Sequence, residues 1–318
     1  MKSETYLPKV SVIMNCLNGE RYLREALDSV YNQTYKNWEI IFWDNASVDK
    51  SVEIAESYDD QIRIFKSKVT SLLGKARNLA LQESSGELIA FLDCDDVWEP
   101  TKLEKQISLF KEDPKLGLVF SDYFLFTDDR TICQMYQKFR PPRGQIFESL
   151  LNKYFLGILS VVIRKSAVQC GKGFDDRLSI LEDFDLFHRI AYENKADYID
   201  EPLAKYRVHS QSVTFKDYSK IAQERELLLK KWVEVFPNII EEFPKGFDVF
   251  NNKTIQHKAI GKWVDGFSGE ARKIFGSISD PGFVVYSLYM LTYFPPSLLF
   301  PLVKLNHFLK NWFDWSHQ

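Results

Sequence analysis

Four short runs rich in Val, Ile and Leu punctuate the start of the chain: KVSVIM (9–14), WEIIFW (38–43), IRIF (62–65) and ELIAFL (87–92). Each reads as a buried strand. Helical spacing fills the gaps between them. Tyr22, Leu23, Ala26, Leu27, Val30 and Tyr31 recur at a 3.6-residue period after the Asn18-Gly19 turn. A second helix is expected to run to about Ser57, with Ser47 as its N-cap, and a third spans Leu73 to about Gln82. Strand, helix, strand, helix with short links predicts an α/β domain on a largely parallel sheet. Ligands of such sheets bind beyond the carboxyl ends of the strands. That rule sets Asn15, Asp44 and Asp93 to Asp96 along one rim.

Further on, a helix is expected from about Pro100 to Lys111, with Pro at its start. LGLVFSDYFLF (116–126) reads as a strand, TICQMYQ (131–137) as its hairpin partner, and PPRG (141–144) as a break. ILSVVIR (158–164) reads as another strand, and LEDFDLFHRIAYE (181–193) as an amphipathic helix opening on acids. YRVHSQSVT (206–214) reads as extended and then loop, and 216–236 as a helix. There is no internal repeat. A chain of 318 residues with 45% hydrophobic residues can bury one large core or two small ones. The net charge of −3 disfavours a nucleic-acid footprint. Cys16, Cys94, Cys133 and Cys170 form no C-x-x-C pair, which suits reduced thiols. MKSETYLPKV lacks the apolar core of a signal peptide, so a cytoplasmic protein is expected.

The run ELIAFL ends in Asp93, Asp95 and Asp96. Three carboxylates at one strand end repel one another unless a cation lies among them, and Mg²⁺ or Mn²⁺ would relieve this. The other reading is a helix N-terminus decorated with acids, which the helix dipole favours.

The order of motifs separates the two. VSVIMNCLNGERYLREALDSVYNQTYKNWEIIFWDNASVD, GKARNLALQESSGELIAFLDCDDVWEP, EDFDLFHRI and YRVHSQSVT follow one another between Lys9 and Thr214. In these the chain resembles the family 2 inverting glycosyltransferases, which have the GT-A nucleotide-diphospho-sugar transferase fold. The resemblance implies a mixed, mainly parallel central sheet flanked by helices, in a catalytic domain over 1–215. Its nucleotide-binding half would be about 1–115 and its acceptor-binding half about 116–215. A helical C-terminal region would fill 216–318.

The resemblance also implies roles. Asp93-Cys94-Asp95 stands as the family's DXD motif, with Asp95 on the metal, Asp93 on the metal or ribose, and Asp96 orienting its neighbours. Asp44 would accept a hydrogen bond from the base; an acceptor-only carboxylate suits the N3–H of uracil or thymine, with dTDP- and GDP-sugars as the other donors open to this chain. The family often has a second Asp next, where this chain has Asn45. Asn15 would touch the nucleotide, and Arg77 would stand near the diphosphate. Asp183, or alternatively Glu182, would be the catalytic base. His209 would approach the metal or diphosphate, and Arg207 and Ser212 would assist with phosphate. The implied activity is a metal-dependent, single-displacement transfer from a nucleotide-diphosphate sugar, most simply a UDP-sugar, to a hydroxyl of a saccharide or lipid-linked saccharide, in cell-surface polysaccharide or glycolipid synthesis. The competing readings are a sugar nucleotidyltransferase, which MNCLNGERYL does not fit as a Gly-rich loop, and an inactive sugar-binding protein.

Residues 281–303 carry no charge, and Pro295, Pro296 and Pro301 argue against one straight spanning helix. With Lys304, Lys310, Trp312 and Trp315 beyond, the segment 281–315 is expected to lie on the cytoplasmic membrane face. Its alternative is a buried helical pair. Tyr123, Phe155 and Trp98 could stack on sugars but read first as core aromatics.

Overall fold

The computed structural model describes residues 7–170, 173–209, 217–278 and 282–296. The chain divides into two compact units, Met1–Phe147 with Phe155–Ser210, and Glu148–Tyr154 with Gln211–Gln318.

The first unit is built on one sheet. Its strands are β1 (Val10–Cys16), β2 (Trp38–Asp44), β3 (Ile62–Lys66), β4 (Leu88–Phe91), β5 (Val97–Trp98), β6 (Leu116–Phe126), β7 (Thr131–Gln134), β8 (Val162–Arg164) and β9 (Lys195–Arg207). They lie in the order β3-β2-β1-β4-β8-β6-β9-β5, with β7 pairing β6. β3, β2, β1 and β4 are mutually parallel. β8 runs antiparallel to both β4 and β6, so β6 and β9 again point with β1. The sheet is mixed and mainly parallel, as the alternation of strands and helices predicts. β1 and β2 are buried almost throughout because helices cover the sheet. The helices of this unit are α1 (Leu23–Tyr31), α2 (Ser51–Glu56), α3 (Leu73–Glu83), α4 (Lys102–Glu112), α6 (Lys165–Cys170) and α7 (Glu182–Glu193), while α5 (Phe147–Asn152) falls, apart from Phe147, in the second unit.

Local departures from the sequence reading have physical causes. Ser47 is not a helix cap, since α2 starts only at Ser51. Instead its N–H turns back to the Asp44 carboxylate, and its hydroxyl accepts the Asn18 N–H at 2.9 Å. The stretch 158–164 opens with a 3₁₀ turn, Ile158–Ser160, before β8. β9 begins eleven residues before the extended stretch read at 206, and the sequence hides it. Its pairing with β6 jumps from Ser121–Ile199 to Asp122–Pro202, so Asp200 and Glu201 sit in a bulge.

The second unit is helical: α8 (Tyr218–Val235), α9 (Ile239–Glu242), α10 (Pro244–Val264), α11 (Ser268–Phe275) and α12 (Phe283–Leu291). Tyr218, Ala259, Ile260, Phe275, Ile278 and Val285 form one of its cores. Tyr286, Met290, Tyr293 and Phe294 are exposed. Among the described residues no helix is long and apolar enough to cross a membrane. Pro301, Lys304, Lys310, Trp312 and Trp315 lie outside the described residues, as does Ser212.

Candidate active site

The rim begins at the carboxyl ends of β1 and β2. In register, Asn15 faces Trp43 and Cys16 faces Asp44. Asp44 is 3% exposed, and both its oxygens accept the Ser47 N–H, at 3.2 and 3.3 Å. The turn that makes this possible puts Ala46 at φ +69°, a conformation costing a residue with a Cβ roughly 1 kcal/mol. Asn45 ties down the next loop. Its amide donates to Ser71 O at 2.9 Å and its Oδ1 accepts the Ser71 N–H at 3.0 Å. A carboxylate has no donor for the first bond, which gives the departure from Asp a local reason. Asn15 is buried with neither side-chain polar atom partnered within the protein. A buried amide in that state is costly unless a ligand completes it.

The three acids after β4 fan out in different directions. Asp93 Oδ1 accepts from Arg77 at 2.9 Å. Asp95 Oδ2 lies 2.8 Å from His209 Nε2. Asp96 is 1% exposed, and its Oδ1 accepts the Arg207 N–H at 2.8 Å. Burial, and then the charge on Asp93, push the Asp95 carboxyl up, with His209 opposing. Burial, and then the charges on Asp95 and Asp93, hold Asp96 well above the carboxylate range against the pull of Arg207. Gly19 sits against this turn, where a Cβ would come within 2.7 Å of Cys94 Sγ and 2.8 Å of Cys16 Sγ.

Arg77 joins the acids to the start of α7. It lies on the buried face of α3 with Ala76, Ala80 and Leu81. One turn earlier, Gly74 lets α3 approach closely: a Cβ there would stand 2.8 Å from Asp175 O and 3.4 Å from Glu182 Cβ. The Arg77 side chain is 3% exposed and forms ion pairs with both Asp93 and Glu182. Burial pulls the guanidinium pKa down, but Asp93, Glu182 and Asp183 outweigh it and the net shift is upward. Asp183, whose Oδ1 accepts the Phe184 N–H at 2.6 Å, is pushed up to about 7 by burial and then by Glu182, against the pull of Arg77.

Other candidates have structural places. Asp185 is fully buried against Arg189 at 2.8 Å, and Asp176 accepts from Asn78 at 2.6 Å. Trp98, Tyr123 and Phe155 are core residues, and the Trp98 indole N–H donates to Leu159 O at 2.8 Å. Arg207, read from sequence as a phosphate ligand, is 4% exposed and engaged with Asp95 O, Asp128 and Glu25. Glu25 and Asp128 carried no sequence signal, because their shared partner is far away along the chain.

Chemically, the arrangement offers a carboxyl that titrates near neutrality, set by a buried guanidinium beside a strand-end acid cluster. Two carboxylates and an imidazole also suit Mn²⁺ or Mg²⁺, and the repulsion raising Asp95 is what a cation would relieve. Among the described residues, however, no three His, Cys, Asp or Glu side chains are arranged as a metal-holding group.

The family model described as "Glycosyl transferase family 2" matches residues 11–170. The Escherichia coli UDP-Glc:alpha-D-GlcNAc-diphosphoundecaprenol beta-1,3-glucosyltransferase WfgD is 28% identical over 222 residues, 69% of this chain and 85% of that protein. Two solved structures share the fold. S. aureus TarS 1–349 in complex with UDP-GlcNAc superposes with a TM-score of 0.62 at 16% identity, covering 91% of this chain and 87% of that one. The Pyrobaculum calidifontis mannosyltransferase PcManGT, in complex with GDP-Man and Mn²⁺, gives 0.59 at 16% identity over 98% and 88%.

Proposed function

The chain belongs to glycosyl transferase family 2, and on that premise we propose that it moves a sugar from a nucleoside-diphosphate donor to a saccharide or lipid-linked saccharide hydroxyl, with inversion at the anomeric carbon. The observation that carries this is the Arg77 bridge. It links Asp93 of the acid cluster to Glu182 beside Asp183, whose carboxyl titrates near 7.

In this reading Asp183 takes the acceptor hydroxyl proton as the oxygen attacks. Glu182 is occupied by Arg77 and is the weaker candidate. Asp44 receives the base and Asn15 the nucleotide; the unpartnered amide of Asn15 supports the second assignment. Arg77 fixes Asp93 and keeps positive charge near the leaving diphosphate. Asp93, Asp95 and His209, which are not arranged as a metal-holding group among the described residues, would have to draw together to hold Mn²⁺ or Mg²⁺, which would neutralise the diphosphate and improve it as a leaving group. PcManGT, solved with Mn²⁺, supports the metal. TarS with UDP-GlcNAc, the UDP-Glc in the name of WfgD, and Asp44 support a UDP-sugar. The alpha-D-GlcNAc-diphosphoundecaprenol in the name of WfgD supports a lipid-linked acceptor, and such an acceptor would place the chain in cell-surface polysaccharide synthesis at a membrane face. The exposed Tyr286, Met290, Tyr293 and Phe294 suit contact with such a surface.

The test is release of nucleoside diphosphate from a panel of UDP-, dTDP- and GDP-sugars with Mn²⁺, with and without lipid-diphosphate sugars. Release with at least one donor, lost on chelation and in Asp95→Asn by roughly two orders of magnitude, is expected. No release with any donor would sink the proposal.

A further inference from the structure

Arg207 closes β9 and is buried, yet every nitrogen of its guanidinium meets a protein oxygen. Nε donates to Asp95 O at 2.8 Å, one terminal nitrogen to Asp128 Oδ1 at 2.6 Å and the other to Glu25 Oε2 at 2.5 Å. The rings of Tyr22 and Phe126 cover it, with centroids 4.2 and 4.3 Å away. Its own backbone N–H donates to Asp96 Oδ1 at 2.8 Å. Two residues on, His209 reaches Asp95 Oδ2 at 2.8 Å. Val208 N–H donates to Phe126 O, so the strand pairing continues between them, and the two-residue period of a strand turns Arg207 and His209 to one side.

One strand end therefore holds both the carbonyl and the carboxylate of Asp95. We infer that Arg207 is a positioning residue: it fixes the peptide plane after Asp95 and so aims the Asp95 carboxylate, without touching the diphosphate itself. The inference rests on the proposed role of Asp95. Three features argue for it. All three guanidinium nitrogens already donate to protein oxygens, and at 4% exposure under two rings the head presents little surface to a ligand. Its Nε bond goes to a main-chain oxygen, which sets backbone direction. Its planar fork can serve three oxygens while stacking on two rings, which the point charge of a lysine cannot do. Glu25 and Asp128 are the outer half of the clamp. Their side chains are 55% and 43% exposed, so they can be changed without opening the core.

Two variants of the full chain test this: Arg207→Lys, and the double variant Glu25→Ala with Asp128→Ala, which keeps the arginine but frees its head. Hydrogen–deuterium exchange reads the turn directly. Amides 93–96 should exchange about tenfold faster in both variants, the scale of one lost charge-assisted hydrogen bond, while β1 and β2 amides keep their protection. In the release assay, donor KM and the Mn²⁺ activation midpoint should rise about tenfold in Arg207→Lys, with a smaller change in kcat. A residue that merely supported the fold would lower active enzyme and leave both midpoints in place. If Arg207→Lys does not fold, the double variant decides. Unchanged exchange at 93–96 in the folded variants would overturn the inference. Absence of release by the wild-type chain would instead refute the proposed function, and the exchange result would still judge Arg207.

Discussion

Asp183→Asn separates the chemistry of the candidate base from its effect on stability. Folding lifts the Asp183 carboxyl from an ordinary value near 3.8 to about 7, chiefly by burial. Below pH 3.8 the group is protonated in both states and contributes no difference. Between there and 7 the folded state binds the extra proton, so this group makes stability fall as pH rises; above 7 the loss is complete. Each unit is worth about 1.4 kcal/mol, so two units between pH 5 and 7 amount to about 3 kcal/mol as an upper bound. Asparagine keeps the size and the acceptor for the Phe184 N–H but cannot ionise. Arg77 retains Asp93 and Glu182, so no buried cation is stranded. The variant should therefore gain on wild type steadily from pH 5 to pH 8, its melting temperature rising relative to wild type by roughly 5 °C or more over that range. The same variant should lose transfer while still binding nucleoside diphosphate. Parallel melting curves from pH 5 to 8 would refute an elevated Asp183 pKa, and retained turnover would refute its role as base.

Other expectations follow from the same geometry. In wild type, kcat/KM should rise about tenfold per pH unit up to about 7 and then level, because the base acts only when deprotonated; a profile flat from pH 5 to 8 would count against it. Arg77→Met leaves Asp93 and Glu182 without their shared cation, and urea unfolding should show a loss of roughly 3–5 kcal/mol. Gly74→Ala puts a Cβ 2.8 Å from the Asp175 carbonyl, a backbone clash expected to cost roughly 1–3 kcal/mol and to lower kcat by shifting the start of α7.

The sheet was legible where burial is uniform. β1, β2 and β4 announce themselves because they are buried almost throughout and so rich in apolar residues, while β3, a half-exposed edge strand, is read from Ile62, Ile64 and Phe65. β9 was half hidden, because a bulge allows Asp200, Glu201 and Pro202 into a strand. At the site, residue types at strand and helix ends were readable from order alone, but their partners were not. Nothing local to Asp96 shows that it turns to a backbone N–H 111 residues away. Nothing around Arg77 says that it is buried between two acids rather than exposed on a helix. Glu182 and Asp183 look equivalent in sequence; the guanidinium that engages one and the burial that raises the other separate them.

The Arg77 bridge also bears on how the chain comes off the ribosome. Asp93 follows Arg77 by 16 residues, but Glu182 follows only after 105. A nascent chain that has emerged through β6 holds the whole β3-β2-β1-β4 sheet and α3, yet it can offer the guanidinium only half its counter-charge. Until α7 arrives the side of Arg77 that meets Glu182 stays open to water, so the guanidinium is buried only once the later half of the domain packs. The first four strands come early in the chain, but the site they carry is complete only when α7 has joined it.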